Sequence, residues 1–198
     1  GKVGAAPTPL TLGTPVSGTL NPVVETHLYT FSIAAPARFA FDFLDRTGFF
    51  NFTLIDPYGN LVPLATNIDN FFRQALNLQL PGAYTLLLEG RITGTGTQTY
   101  NLIIQPTPPT FSPGDIFVGF GFEGTVERFD QDLHLLDILD TQAATKTGMA
   151  FDSSSNLYVT NFSSANLTKF DPSGALTFPN PFVSGDLGGS TESVVFDA

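Results

Sequence analysis

Apolar and polar residues alternate in several short runs through the first half of the chain. Phe39, Phe41 and Phe43 occupy every second position of one such run. Successive side chains of a β-strand point to opposite faces, so this alternation predicts a strand with one ring-covered face. The same spacing recurs in three further runs, at Phe50, Phe52 and Leu54, at Tyr84, Leu86 and Leu88, and at Tyr100, Leu102 and Ile104. No window has a sustained 3.6-residue period, so almost no helix is expected.

Turn-forming sequences separate these runs. They are RTG at 46–48, DPYGN at 56–60, PG at 81–82 and GTGTQ at 94–98. Gly, Pro, Asn and Asp each favour turns for a distinct steric or hydrogen-bonding reason. Seven or eight short strands at this spacing predict an antiparallel β-sandwich over residues 1–105.

A proline-rich stretch follows the predicted sandwich. QPTPPTFSPG at 105–114 holds four of the chain's 15 prolines. Proline fixes φ and has no N–H to donate, so such a run joins sheets without entering them. We therefore expect a linker at 106–113.

The remainder of the chain repeats itself. DIFVGFGFEGTVERFDQDL at 115–133 has the same pattern as NLYVTNFSSANLTKFDPSG at 156–174, at an offset of 41. A second echo pairs TGMAFD at 147–152 with ESVVFD at 192–197, at an offset of 45. Units of about 40–45 residues with several strands are typical of propeller blades. Residues 114–198 are thus predicted to hold about two blades and the first strand, VVFDA, of a third, an incomplete set.

Charge and composition narrow the class of partner. The chain of 198 residues carries a net charge of −10, which disfavours nucleic acid and anionic membranes as partners. It has no Cys, so neither a disulfide framework nor a thiolate zinc site can form. No apolar run is long enough to span a membrane. The acidic balance, few Lys and abundant Gly, Thr, Asn and Phe favour an exported, extracellular or cell-surface protein.

Motifs that carry chemistry are few. GFGFEG at 119–124 fits the dinucleotide fingerprint, but an alternating run, TVERFD, follows it where that motif needs a helix, so we interpret it as a hairpin turn. The two histidines, His27 and His134, have no evident orienting partner and are interpreted as structural. No cofactor or catalytic residue is predicted.

The carboxylates leave two interpretations open. Asp130, Asp152, Asp171 and Asp197 each follow Phe at a predicted strand end and are interpreted mainly as turn residues. In the first half, the candidates for a calcium site are Asp42, Asp45, Asp56 and Asp69. They do not follow the D-x-D-x-D spacing of calcium loops, and solvated turns are the favoured interpretation.

The first half resembles the bacterial pre-peptidase C-terminal domain over about residues 8–105. The similarity rests on Leu10, Gly13, Gly18 and Leu20 and on the segments HLYTFSIAAP, FNFTLIDPYGNLV, LPGAYTLLLEG and TYNLII. The resemblance implies a jelly-roll-like sandwich attached to secreted peptidases and other exported proteins, some of which bind calcium or polymers. FFN stands at 49–51, where that family often has an acidic residue.

The second half is similar to NHL-type propeller repeats, most clearly in TGMAFDSSSNLYVTNFSSANLTKFDPSGAL. Three functions are therefore carried forward. The first is a non-enzymatic exported bacterial module for adhesion or a surface or matrix scaffold, whose open sheet edges are completed by self-association into a filament or by a missing C-terminal segment. The second is the N-terminal part of a gluconolactonase-like propeller hydrolase. The third is a carbohydrate-binding sandwich with a polysaccharide or other cell-surface polymer as partner.

Overall fold

The computed structural model describes residues 6–21, 25–63, 73–91, 93–120, 124–143, 145–183, 187 and 189–197. Within them the secondary structure consists of β-strands and a single 3₁₀ turn, Phe162–Ser164. The predicted all-β class is confirmed. The chain divides into two compact units, residues 1–107 and 108–198.

The first unit is a β-sandwich. Its five-stranded sheet has the order β1-β3-β8-β5-β6, and its four-stranded sheet has the order β2-β9-β4-β7. All pairs are antiparallel except the short parallel pair β1–β3. The strands are β1 Thr8–Pro9, β2 Val16–Leu20, β3 Thr26–Ile33, β4 Ala37–Arg46, β5 Phe50–Ile55, β6 Leu61–Val62, β7 Arg73–Leu78, β8 Gly82–Gly90 and β9 Gln98–Pro106.

The alternating residues of both sheets meet in one core. Phe39 and Phe41 of β4 are buried there, and Phe43 packs against them. The other predicted inward residues, from β5, β8 and β9, lie in the same cluster. Phe41 stacks on Phe52 across the sandwich, with ring centroids 4.7 Å apart. The inward faces predicted from the alternation are therefore confirmed.

The second unit contains two three-stranded antiparallel sheets with the orders β10-β11-β12 and β13-β14-β15. They share a small core formed by Val126, Leu139, Leu157, Val159 and Phe170. The two sheets therefore pack against each other, and the part of the chain that is described contains no closed ring of sheets. The strands are β10 Ile116–Phe120, β11 Thr125–Phe129, β12 Leu135–Asp140, β13 Lys146–Phe151, β14 Leu157–Asn161 and β15 Asn166–Phe170.

The 41-residue echo corresponds to two hairpins with one register. Phe117 pairs with Arg128 in the β10–β11 hairpin, and Tyr158 pairs with Lys169 in the β14–β15 hairpin. All five residue pairs of the first hairpin have their counterparts in the second at an offset of 41. The hairpin interpretation of GFGFEG is confirmed, because β11 follows it. Its residues 121–123 lie outside the described residues.

The second echo differs from its predicted structure. TGMAFD forms β13, which pairs with β14. The expected strand VVFDA is not formed, since described residues 189–197 have no assigned strand. A strand requires a hydrogen-bonded neighbour, and the segment at 192–197 makes no ladder. It nevertheless contacts the second sheet, because Phe196 packs on Tyr158 with ring centroids 4.8 Å apart.

The proline-rich stretch is held by backbone hydrogen bonds, first within one unit and then within the other. Pro106 ends β9, and the Thr107 amide donates to the carbonyl of Arg38. From Pro108 onward the stretch bonds to the second unit, where the Phe111 amide donates to the Pro172 carbonyl at 2.7 Å. These two amide groups of the stretch are therefore satisfied by carbonyl groups outside it.

Candidate functional site

A pocket of about 320 Å³ opens in the second unit. Its walls come from the proline-rich stretch, from β10 and from the β13–β14 hairpin. The lining residues are Phe111, Ser112, Pro113, Gly114, Asp115, Phe117, Phe151 and Ser155.

Three phenylalanine rings form the apolar wall of this pocket. The centroids of Phe111 and Phe117 lie 5.1 Å apart, those of Phe117 and Phe151 also 5.1 Å, and those of Phe111 and Phe151 5.7 Å. All three contacts are edge-to-face, which is a favoured aromatic geometry. Phe151 is 41% exposed, so the wall presents a ring to solvent.

A buried ion pair supports the ring wall from behind. Arg128 is fully buried, and its Nε donates to Oδ2 of Asp115 at 2.7 Å. The same carboxylate oxygen accepts from the Ser112 amide at 2.7 Å. The Arg128 guanidinium also lies 5.3 Å from the centroid of the Phe111 ring. The pocket is thus pre-formed, because its wall is fixed by a charge-assisted network.

This arrangement suits a ligand with one apolar face and polar edges. Rings can stack on C–H groups or on another ring, while Ser112 and Ser155 at the rim carry hydroxyl groups that can hydrogen-bond. A small set of polar groups in a mainly apolar concavity is typical of binding sites.

Four hairpin turns use an aspartate in the same way. In each, the carboxylate oxygen Oδ1 accepts from the amides two and four residues later, at 2.8–3.1 Å. The residue three positions later has a positive φ in every case. These aspartates are Asp56, Asp130, Asp152 and Asp171. The turn role predicted for three of them from the Phe-Asp repeat is confirmed, and Asp197, the fourth, lies in the segment without strands.

The four calcium candidates occupy different settings. Asp42 is buried in β4 and lies 3.4 Å from Nε of Arg73, whereas Asp45 is exposed near the end of the same strand. Asp56 caps its turn, and Asp69 lies outside the described residues. Among the residues that are described, no group of three or more His, Asp or Glu side chains could hold a metal ion. A calcium site remains a prediction from sequence.

The histidines do have orienting partners, contrary to expectation. His27 Nδ1 lies 2.6 Å from Oη of Tyr100, whose hydroxyl also hydrogen-bonds Tyr29. Burial, together with the hydrogen bond to Tyr29, raises the pKa of Tyr100. His134 Nδ1 lies 3.2 Å from Oδ2 of Asp130, inside a turn. His27 therefore belongs to a hydrogen-bond network of the sandwich core, and His134 belongs to a turn.

No sequence motif indicated the pocket residues. Phe111 and Asp115 lie in or beside the predicted linker, and Arg128 lies within the repeated segment at 115–133. One signal was present in the sequence. A proline-rich segment has carbonyl groups that cannot join a ladder, so a nearby Arg is a suitable donor for them.

Comparisons with known proteins found similarity only among solved structures. No family model and no curated protein matches it. The described part contains no helix that is long and apolar enough to cross a bilayer.

Among solved structures, the chain is similar to the pre-peptidase C-terminal domain of a collagenase from Bacillus anthracis. The identity is 19%, over 53% of this chain and 100% of that one, with a TM-score of 0.44. It is also similar to PliG of Aeromonas hydrophila, a periplasmic inhibitor of g-type lysozyme. That identity is 14%, over 50% of this chain and 95% of that one, with a TM-score of 0.39. The first is a domain of the type named in the sequence resemblance.

Proposed function

We propose that this chain is a non-enzymatic, exported structural module that self-associates as a surface or matrix scaffold. In this proposal the β-sandwich is a pre-peptidase C-terminal-type domain, and the stacked sheets of the second unit are blade-like repeats that continue from molecule to molecule. Export is supported by the acidic composition, with few Lys and abundant Gly, Thr, Asn and Phe.

The observation that carries this proposal is a repeated ring cluster. We call β10-β11-β12 the inner sheet and β13-β14-β15 the outer sheet. Phe117 of the inner sheet packs on Phe151, and its counterpart Tyr158 of the outer sheet packs on Phe196. Lys169 Nζ lies 5.1 Å from the Tyr158 ring, as Arg128 lies beside the first cluster. In the outer cluster Tyr158 is buried and Phe196 is 43% exposed, so the cluster ends in a ring at the surface. A surface that repeats an internal interface is suited to a further copy of the same structure.

Light scattering coupled to size-exclusion chromatography tests this function. We expect the mass to rise above 21.2 kDa as the concentration increases. A chain that stays monomeric up to millimolar concentration would remove the proposal. Negative-stain microscopy of the associated fraction would then separate filaments from closed rings.

A second candidate, carbohydrate binding, is supported by the ring-lined pocket. We expect Phe151→Ala to weaken binding to a neutral polysaccharide about tenfold, because it removes the exposed stacking ring. Phe178→Ala is the matched control, since Phe178 is 80% exposed and does not line the pocket. Equal binding by both variants in affinity electrophoresis would count against the pocket as a glycan site.

A further inference from the structure

Residues 192–197 lie against the outer sheet as β13 lies against the inner one. Phe151 of β13 packs on Phe117, and Phe196, its counterpart 45 residues later, packs on Tyr158. At the other end of β13, a Cβ on Gly119 would lie 2.9 Å from Cβ of Lys146.

The outer copy has a contact one position further along, because the counterpart of Gly119 is Thr160 and the contact is made by the next residue, Asn161. Thr191, the counterpart of Lys146, donates from Oγ1 to the Asn161 carbonyl at 3.1 Å. The segment therefore occupies the position of a first strand, and no described strand pairs with it.

The inner sheet has no described strand at the position that β13 occupies in the outer sheet. β14 is flanked by β13, but its counterpart β10 is the edge strand of its sheet among the described residues. Leu157 and Val159 of β14 are fully buried, whereas the equivalent Ile116 and Val118 of β10 are 38% and 40% exposed. Among the described residues, the segment at 192–197 thus lies at the position of a first strand but pairs with no sheet, and the sheet β10-β11-β12 has no first strand.

We propose that residues 192–197 of one molecule pair with β10 of a second copy and complete its sheet. This inference rests on the self-association proposed above and specifies its joint. The β13–β14 register places Met149 opposite Val159, Ala150 opposite Tyr158 and Phe151 opposite Leu157. Moving each partner to its counterpart places Val194 opposite Val118, Val195 opposite Phe117 and Phe196 opposite Ile116.

The joint is head-to-tail, because it links two different surfaces of the chain. Such an interface repeats indefinitely unless its rotation closes a ring. The occupant is a second copy because the interface continues the internal contact between the two sheets of the second unit. In the joint, backbone groups at the edge of β10 gain hydrogen-bond partners, and the exposed side chain of Val118 is covered.

Engineered cysteines test the register, since the chain has none of its own. We expect Val118→Cys combined with Val194→Cys to form a disulfide between molecules under mild oxidation, giving a ladder on non-reducing gels. Directly opposed strand residues have Cβ atoms close enough for a bridge. The matched control combines Val118→Cys with Val195→Cys, because a one-residue shift points the side chain to the other face. Equal ladders from both pairs, or a disulfide within one chain, would overturn the proposal.

An aspartate substitution tests the joint without oxidation. Val195 is 83% exposed in the single chain, so Val195→Asp leaves the fold intact, whereas in the joint the carboxylate would face Phe117. We expect the dissociation constant to rise tenfold or more by light scattering, while Phe178→Asp leaves it unchanged. If Val195→Asp associates as strongly as the unmodified chain, residues 192–197 do not form the joint, but self-association is still supported. If the unmodified chain is monomeric, both the joint and the proposed self-association are ruled out.

Discussion

Arg128 and Asp115 form a buried ion pair in which Nε and Nη2 of the guanidinium lie 2.7 and 2.6 Å from the same carboxylate oxygen. Arg128 also donates to the carbonyl groups of Thr110 and Pro108, at 2.6 and 3.3 Å. One side chain of β11 therefore anchors the proline-rich stretch that carries Phe111 and Asp115. The geometry of the pocket depends on this anchor.

Arg128→Ala should lower the free energy of unfolding of the second unit by about 3–5 kcal/mol, because it leaves the Asp115 carboxylate buried without its partner. Arg128→Lys keeps the charge but loses the fork of donors, so an intermediate loss is expected. Urea unfolding followed by circular dichroism measures both. An alanine variant as stable as the unmodified chain would show that the anchor is dispensable.

The sandwich was predictable because its signal is local. The alternation at Phe39 and Phe41 places both rings on one face whatever lies opposite them. The burial of Asp42 on the other side of β4 was not predictable, since alternation says only that this face is distinct. What covers the second face depends on contacts between residues far apart in sequence.

The pocket was not predictable for the same reason. Phe111, Phe117 and Phe151 come from three segments that the repeat does not align with one another. The Asp turns, in contrast, were predictable in kind, because an aspartate bonds amides within four residues of itself. The repeat also indicated equivalent hairpins. The prediction of a strand at 192–197 was wrong, because a strand requires a hydrogen-bonded partner and the repeat does not supply one.

Gly18→Ala should destabilise the sandwich by about 1–3 kcal/mol through overpacking. A Cβ at Gly18 would lie 2.2 Å from Oη of Tyr100, which cannot withdraw without breaking its hydrogen bonds to His27 and Tyr29. Ser17→Ala is the control, because Ser17 is an exposed neighbour in the same strand. Tyrosine fluorescence during urea unfolding reports mainly on this unit, which holds four of the five tyrosines. Equal midpoints for the two variants would contradict the predicted clash.

The turn aspartates should make the chain sensitive to acid. Hydrogen bonds from Asn156, and then from Ser154 and Tyr158, lower the pKa of Asp152. For Asp56 and Asp171, burial raises the pKa, but hydrogen bonds from the turn outweigh it and the pKa lies below its ordinary value. A lowered carboxyl pKa gives stability that is present above the unfolded-state value of about 3.9 and is lost as pH falls through the folded value.

We therefore expect the thermal midpoint to fall as the pH drops below about 4. Replacing all three residues (Asp56→Asn, Asp152→Asn and Asp171→Asn) should flatten this dependence, because the Asn carbonyl still accepts both amides but does not titrate. Asp45→Asn, at an exposed strand position outside these turns, is the comparison for the loss of a carboxylate as such. Thermal scans across the acid range provide the measurement, and a triple variant with the original slope would refute the assignment.

Lys146 should produce a second rise in stability, at alkaline pH. Burial lowers the pKa of its amine to about 8, against the opposing effect of Asp140. Between that value and the unfolded-state value of about 10.4, the folded chain binds fewer protons than the unfolded chain, so stability rises with pH. The urea midpoint of the second unit is expected to increase between pH about 8 and about 10. Lys146→Met should abolish the increase, because no amine remains to titrate, whereas Lys169→Met should keep it, since the pKa of Lys169 is raised. A rise that persists in Lys146→Met would assign it to another group.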